Sequence, residues 1–352
     1  MALPAEPTQM REFITARLKD LYCPFPVRRA DRGATTEEDL AAWCNEKRIA
    51  DILGHRSRAE FPELLRRFGL CDMMTLAFPG LGSSDLRIMD RWEAIAVAIE
   101  YSLENGAQKP EFGEELARML HSKDIPSKKD VPPNSVAECA AELLRQVQDR
   151  YGVRWRREIG NAWGTFVDAT VWETLSNQQN RVADLCSYLH LRPHTYGLQL
   201  FAVPALMMQG IDCDARFLRH VCATSALWAA RTQCGLVNDL IGYAKEASQG
   251  ATNSNAVLIC QRQYHMSASE AFTYVLGLCN DQVRSLMHLE RELTTIAAEL
   301  FPAEQAQVAC FTSTLRYAVA GNLEWTRNSS RYTAWSEDEP LPVDARSRPH
   351  SR

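Results

Sequence analysis

Apolar residues recur three and four positions apart along almost the whole of this 352-residue chain. That spacing is typical of one face of an α-helix. It runs through "EEDLAAWCNEKRIADIL", "DRWEAIAVAIEYSLEN", "FLRHVCATSALWAARTQCGLVNDLIGYAKEA" and "ASEAFTYVLGLCNDQVRSLMHLERELTTIAAEL". No stretch of comparable length alternates with the period of two that a half-buried strand shows. The sequence therefore predicts an all-α protein.

The clearest interruption of this pattern is "HSKDIPSKKDVPPNS", residues 121–135, which is rich in Lys, Pro and Ser. It is the best candidate for a domain boundary. Because the helical pattern is the same on both sides, we interpret it as a surface loop and predict one domain over residues 1–335. Residues 336–352, "SEDEPLPVDARSRPHSR", are charged and Pro-rich, and we expect a disordered tail.

Composition limits the class of function. A formal net charge of −5 and a pI near 6.0 provide no basic field for a nucleic acid. No apolar run approaches the roughly 20 residues that span a bilayer, and the first residues do not resemble a secretory signal. The eleven cysteines are scattered, without the spacing of a zinc site. We expect a soluble, cytoplasmic protein.

Polar residues interrupt one apolar helix at "GLVNDLIGYAKEASQG", residues 235–250. Asn238, Gly242 and Glu246 are spaced by four, so they share one helix face. An amide oxygen and a carboxylate with a bare glycine between them offer two hard ligands and room for water, which suits Mg²⁺. The alternative is a solvated stripe, or an asparagine whose hydrogen bonds are satisfied within the core.

Cationic side chains occur at three further places. Arg192 lies beside Pro193 at the end of a helical segment, where a guanidinium could bind phosphate in a bidentate way. Lys245 precedes Glu246, and Arg331 is followed by Tyr332 after the last long helical segment. Together they would supply three cations and a phenol for an anionic ligand beside a divalent metal.

The order and spacing of these residues resemble those of bacterial and fungal class I terpene synthases. "NDLIGYAKE" is similar to the second metal motif of that family, (N/D)-D-x-x-(S/T/G)-x-x-x-E. The family carries a diphosphate-binding arginine in a Tyr-x-x-x-Arg context about 46 positions before this motif, and "YLHLR", Tyr188 to Arg192, stands at that distance. The late pair Arg331 and Tyr332 and the early "LYCPFPVRR" also match.

The resemblance implies a helical bundle around a deep apolar pocket and a linear isoprenyl diphosphate as substrate. It implies that Asn238 and Glu246 bind Mg²⁺, with three ions in all. The same resemblance implies that the diphosphate is bound by four residues: Arg192, Lys245, Arg331 and Tyr332. Candidate residues for contact with the hydrocarbon chain or a carbocation are aromatic: Phe78, Trp92, Trp325, and also Trp163, Tyr196 and Trp228.

Three positions depart from the family pattern. Where the family has its Asp-rich first metal motif, this chain reads "EYSLE", so Glu100 and Glu104 are the candidate ligands, at i and i+4 on one face. Gly242 replaces the usual Ser or Thr. Tyr196 stands where many bacterial members have a Gly that helps to trigger ionisation, and Gly197 follows one position later.

Our leading hypothesis is a terpene cyclase that acts on a C15 or C20 diphosphate. The glycine at 242 resembles that of plant diterpene synthases and favours C20. The alternative is a terpene-synthase-like protein that binds an isoprenoid, or transforms one without diphosphate chemistry. A condensing prenyltransferase is disfavoured by the missing Asp-rich motif. Many members of the family are homodimers, so the resemblance makes a homodimer one possible state; the sequence itself does not determine it.

Overall fold

The computed structural model describes residues 7–33, 36–127, 129–132, 135–248 and 254–329. These residues form fourteen α-helices and contain no strand, which confirms the predicted all-α class. The helices are α1 Pro7–Arg17, α2 Glu37–Glu46, α3 Gly54–Phe68, α4 Leu70–Ala77, α5 Ser83–Glu104, α6 Pro110–His121, α7 Val136–Tyr151, α8 Val153–Gln178, α9 Leu185–Thr195, α10 Leu198–Met208, α11 Val221–Ser248, α12 Ala256–Tyr264, α13 Ala268–Leu300 and α14 Gln305–Asn328.

Polar side chains at the helix starts fix where several helices begin. Asp184 accepts a hydrogen bond from the Ser187 amide at the start of α9. Asn255 does the same for two amides at the start of α12, and Ser267 forms a capping box with Glu270 at the start of α13. Each cap satisfies amides that the first helical turn leaves without a carbonyl partner. The two caps at α9 and α12 define the positions of the helices that flank the candidate site.

The chain divides into two compact units. The first unit comprises Met1–Asp31, Thr75–Gly82 and Leu175–Arg327. Its core is formed by α11, which packs along α13, with α9 and α12 also in contact with α11. Leu236, Val237 and Leu240 of α11 are fully buried there, together with Phe272 of α13. The apolar side chains of α11 are thus used for packing, and Asp239 is buried beside them.

The second unit comprises Arg32–Met74, Ser83–Thr174 and Asn328–Arg352. An ion pair inside it anchors α5: Nη1 of Arg32 lies 2.7 Å from Oδ2 of the buried Asp90, and Nη2 lies 3.0 Å from Oδ1. The same guanidinium donates to the carbonyl of Cys71. This bidentate contact fixes the helix that carries Glu100 and Glu104.

Residues 121–135 connect α6 to α7 within the second unit and do not separate the two units. That position agrees with the interpretation of this segment as a loop. The prediction of a single domain over 1–335 stays a prediction, and the predicted tail at 336–352 lies outside the described residues. Among the helices described, none is both long enough and apolar enough to cross a membrane.

Candidate active site

Helix α9 approaches α11 closely at a glycine. A Cβ placed on Gly235 would lie 3.1 Å from Cγ of Arg192 and 3.4 Å from Cβ of Tyr196. Distances in this range are tighter than most side-chain contacts, so a larger residue at 235 would require Arg192 or Tyr196 to shift by a few tenths of an ångström. Buried Arg231 of α11 also holds the end of α9, donating from Nη2 to the Pro193 carbonyl at 3.1 Å. Both contacts position Arg192 over α11.

The Arg192 guanidinium connects the polar residues of the motif. Its Nη2 donates to Oδ1 of Asn238 at 2.7 Å and lies 2.8 Å from Oδ1 of Asp239. Its Nη1 donates to the Thr195 hydroxyl at 3.2 Å. The guanidinium is therefore adjacent to the predicted metal ligand Asn238. The predicted cation and the predicted metal motif, 46 residues apart in sequence, meet in the structure.

Asp239 acts as an anchor between three segments of the site. Its carboxylate accepts hydrogen bonds from the Tyr188 hydroxyl at 2.8 Å and from the Ala256 amide at 3.0 Å, in addition to the contact with Arg192. Burial raises the pKa of Asp239, and the charge of Arg192 opposes that rise. A fully buried carboxylate with three donors is positioned to orient its neighbours rather than to bind an ion on its own.

Glu246 lies one turn beyond Gly242 and is held by Asn255. Nδ2 of Asn255 donates to Oε2 of Glu246 at 2.8 Å and to the Asp239 carbonyl at 2.7 Å. Burial, followed by the nearby Asp239 carboxylate, raises the pKa of Glu246 to about 7. Lys245 is half-buried, and its charge favours the ionised form of Glu246. A cation bound nearby would stabilise the ionised form of such a buried carboxyl group.

The face formed by Asn238, Gly242 and Glu246 fits a hard divalent cation. The donor atoms are an amide oxygen and a carboxylate, and the glycine between them presents no side chain. In the parts of the chain that the structure describes, no group of three or more His, Cys, Asp or Glu side chains is arranged to hold a metal. A metal bound here would therefore be held by Asn238 and Glu246, and its other ligands would be oxygen atoms of the substrate or of water.

Tyr196 lies between the Arg192 side chain and α14. Cζ of Arg192 lies 5.7 Å from the centroid of the Tyr196 ring, and the Tyr196 hydroxyl donates to Oδ1 of Asn322. Tyr196 is the residue that ends α9, and Gly197, with φ +79°, separates α9 from α10. A left-handed φ is readily adopted by glycine.

Four of the predicted aromatic residues, Phe78, Trp92, Trp163 and Trp325, are buried, whereas Tyr196 and Trp228 are half-buried. Trp92 packs edge-on against Trp163 in the second unit, with ring centroids 4.6 Å apart. Phe78 and Trp325 are buried in the first unit. The Trp228 ring contacts the His194 ring of α9 at a centroid distance of 5.5 Å.

The remaining predicted ligands lie on α5 or beyond the described residues. Glu100 is half-buried on α5, whereas Glu104 is exposed and is the last residue of that helix. Tyr101, between them, makes a ring contact with Phe68 at 6.0 Å. Arg331 and Tyr332 lie outside the described residues.

Sequence reasoning missed part of the site. It did not assign the anchoring role of Asp239 or the bridging role of Asn255. The sequence did carry a signal for the role of Asp239, because a charged side chain in an apolar helix has to find partners. No local pattern marked Asn322, whose contact with Tyr196 spans 126 residues.

Comparison with known proteins agrees with this arrangement. The model of terpene synthase family 2, C-terminal metal binding, matches residues 100–285, more than half of the chain. A 4-epi-cubebol synthase of Streptosporangium roseum, described as cyclizing (2E,6E)-farnesyl diphosphate, is 23% identical over 325 residues, covering 91% of this chain and 93% of its own. A pentalenene synthase of Streptomyces exfoliatus is 24% identical over 321 residues, covering 90% and 93%.

The fold is shared with solved structures. The crystal structure of a linalool/nerolidol synthase from Streptomyces clavuligerus superposes with a TM-score of 0.73 at 17% identity, covering 87% of this chain and 99% of that one. The predicted class I terpene synthase family is confirmed by these matches together. This chain therefore belongs to terpene synthase family 2, the C-terminal metal-binding family.

Proposed function

We propose that this protein ionises a linear isoprenyl diphosphate with the help of Mg²⁺ and cyclises the resulting carbocation, releasing diphosphate. The observation that carries the proposal is the contact between Arg192 and Asn238 at 2.7 Å. It joins a guanidinium suited to phosphate oxygens with a hard oxygen ligand on the face that ends at Glu246. Family membership supports the same reaction class.

In this proposal Asn238 and Glu246 would hold one Mg²⁺, and Gly242 between them leaves room for a further oxygen ligand. When bound, the metal ions stabilise the negative charge that develops on the departing diphosphate. Arg192 and Lys245 bind the diphosphate oxygens, and Arg331 and Tyr332 would join them, as the family resemblance implies. Oδ1 of Asn238 accepts one hydrogen bond from Arg192, and its second lone pair would be the one that binds a metal.

Glu100 and, to a lesser degree, Glu104 are the proposed ligands for the remaining Mg²⁺ ions, of which we propose three in total. Both carboxylates lie at the end of α5, whose position is fixed by the buried Arg32–Asp90 pair. A glutamate reaches one methylene further than the aspartate it replaces, so a carboxylate can still bind a cation from this helix.

For the chain length we propose C15, farnesyl diphosphate. The support is the similarity to the 4-epi-cubebol synthase, whose description states that it cyclizes farnesyl diphosphate. The C20 expectation depended on Gly242 alone. The predicted homodimer and cytoplasmic location stay predictions, which light scattering and cell fractionation would test.

Incubation of the purified protein with Mg²⁺ and geranyl, farnesyl or geranylgeranyl diphosphate tests the proposal. We expect diphosphate release and a cyclic product from farnesyl diphosphate, and loss of both in Glu246→Gln. Binding of an isoprenoid without any diphosphate release would favour the alternative, an isoprenoid-binding protein that does not ionise its ligand. The exposed position of Glu104 is the observation in favour of that alternative.

A further inference from the structure

Asn322 of α14 is a buried amide with unused hydrogen-bonding capacity. Its side chain is 1% exposed, and its Oδ1 accepts from the Tyr196 hydroxyl. Its Nδ2 has no hydrogen-bond partner among the residues that the structure describes. Turning the amide by 180° would place Nδ2 at the tyrosine and leave Oδ1 without a donor instead. In either orientation one polar atom of Asn322 needs a partner.

A buried amide group without a hydrogen-bond partner destabilises the folded state, so proteins pair such groups, often with a bound water. The buried Nδ2 of Asn322, close to the candidate active site, points to a small polar molecule as the missing partner. Water is the smallest molecule that accepts from Nδ2.

Asn322 is linked to the proposed diphosphate site by one aromatic ring. Arg192 lies over the Tyr196 ring, and the hydroxyl at the far end of that ring reaches Asn322. Trp325, three residues further on α14, shares a helix face with Asn322. A C15 chain anchored by its diphosphate at Arg192 is longer than a tyrosine side chain, so its carbons can come within reach of a water at Asn322.

We propose that Asn322 and Tyr196 hold a water molecule that terminates the reaction, so that the product is a terpene alcohol. This proposal rests on the proposed ionisation of an isoprenyl diphosphate. The water oxygen forms a bond to the carbocation, and the oxonium ion that results loses one proton to the diphosphate released earlier. The net change is substrate plus water to alcohol plus protonated diphosphate, with no oxidant or reductant. Asn322 positions the oxygen by donating to it from Nδ2.

The test is product analysis in ¹⁸O-labelled water, with diphosphate release measured in the same samples. The parent should release diphosphate and give an alcohol that contains the label. In Asn322→Leu the ratio of alcohol to hydrocarbon should fall about fivefold to tenfold, the factor that one hydrogen bond contributes. Diphosphate release by the variant should stay within about twofold, because ionisation precedes the water attack.

Two further variants separate this role from a general effect on α14. Thr326→Val removes another buried hydroxyl one turn away, which donates to the backbone carbonyl of Asn322 at 2.6 Å and not to its side chain, and should leave the ratio unchanged. Tyr196→Phe combined with Asn322→Leu replaces both partners by apolar groups, which protects against an unpaired tyrosine if the single variant folds poorly.

Release of diphosphate with only hydrocarbon products would overturn the inference and leave the proposed cyclisation intact. A labelled alcohol whose share is the same in Asn322→Leu would also overturn it. No diphosphate release from any of the three substrates would instead contradict the proposed function. In that case a high-resolution crystal structure of the parent tests the water site independently of the reaction. An ordered water within hydrogen-bond distance of Nδ2 of Asn322 supports the site, and the absence of such a water rejects it.

Discussion

The carboxylate of Glu246 folds back over Gly242, so that Oε1 lies 2.7 Å from the position a Cβ at residue 242 would occupy. The family usually has a serine or threonine there. In this chain the carboxylate of Glu246 takes the space of that missing side chain and accepts a hydrogen bond from Asn255. The identity of residue 242 and the resting position of Glu246 are therefore linked.

Gly242→Ser should lower the Mg²⁺ concentration needed for half-maximal turnover. The serine hydroxyl adds a hard ligand, and its Cβ displaces a flexible carboxylate that has to move in any case to bind metal. We expect a decrease of about threefold to tenfold, the effect of one additional oxygen ligand. Gly242→Ala is the matched control, since it displaces Glu246 without adding a ligand. Equal Mg²⁺ requirements in the two variants would contradict a metal ligand at 242.

Asn255→Ser should separate capping from support of the metal ligand. Serine can still cap α12, so we expect the free energy of unfolding to fall by less than about 1 kcal/mol. Serine is too short to reach both Glu246 and the Asp239 carbonyl, so the Mg²⁺ requirement should rise by about tenfold or more. Asn255→Ala removes both functions and should cost more stability. If Asn255→Ser shows the same Mg²⁺ titration as the parent, the bridge to Glu246 has no role in metal binding.

The stability of the metal-free protein should fall as the pH rises towards neutral. Burial raises the pKa of Glu246 to about 7, so between its ordinary value and this one the folded state holds a proton that the unfolded chain has lost. Stability decreases with pH wherever the folded state binds more protons. We expect a loss of about 1–3 kcal/mol between about pH 5 and about pH 8 in urea denaturation with a chelator. Glu246→Gln should lack this component, and an identical pH profile in the variant would refute the assignment.

The helical period predicted most of the fold, because local spacing determines which faces can be buried. The segment that begins with "ASEAFTYVLG", which has the helical period throughout, forms α13, Ala268–Leu300. Interruptions were harder to predict. Gly152, with φ +90°, separates α7 from α8, although apolar residues continue at helical spacing across it. Arg48, at φ +57°, ends a similar run without any Gly or Pro to signal it.

The candidate site was predictable where its residues lie on one helix, as with Asn238 and Glu246. Contacts that depend on chain packing were not. The position of Asp239 among donors from α9 and the start of α12 follows from how those helices meet, which no local pattern encodes. The same holds for Asn322, whose only sequence signal is a polar residue in a buried helix.

Arg192→Lys should reduce both turnover and stability, by different amounts. Lysine keeps the positive charge but cannot donate to Asn238, Asp239 and Thr195 together. We expect turnover to fall about a hundredfold or more, because the planar grip on the diphosphate is lost. The free energy of unfolding should fall by about 1–2 kcal/mol, since buried Asp239 keeps a cation nearby. A stability loss with nearly normal turnover would show that Arg192 has only a structural role.

Glu100→Gln tests whether α5 binds metal. The amide keeps the shape and the hydrogen bonds of the half-buried side chain but removes its charge, so diphosphate release should fall about a hundredfold while stability stays nearly unchanged. Glu104→Gln should have a much smaller effect, because Glu104 is exposed at the last position of the helix. Glu100→Asp is the matched control: it restores the ligand type of the family with a shorter reach, and it should retain more activity than Glu100→Gln. If Glu100→Gln equals the parent at every Mg²⁺ concentration, α5 binds no metal, and the enzyme would have to ionise its substrate with the α11 ligands and the basic residues alone.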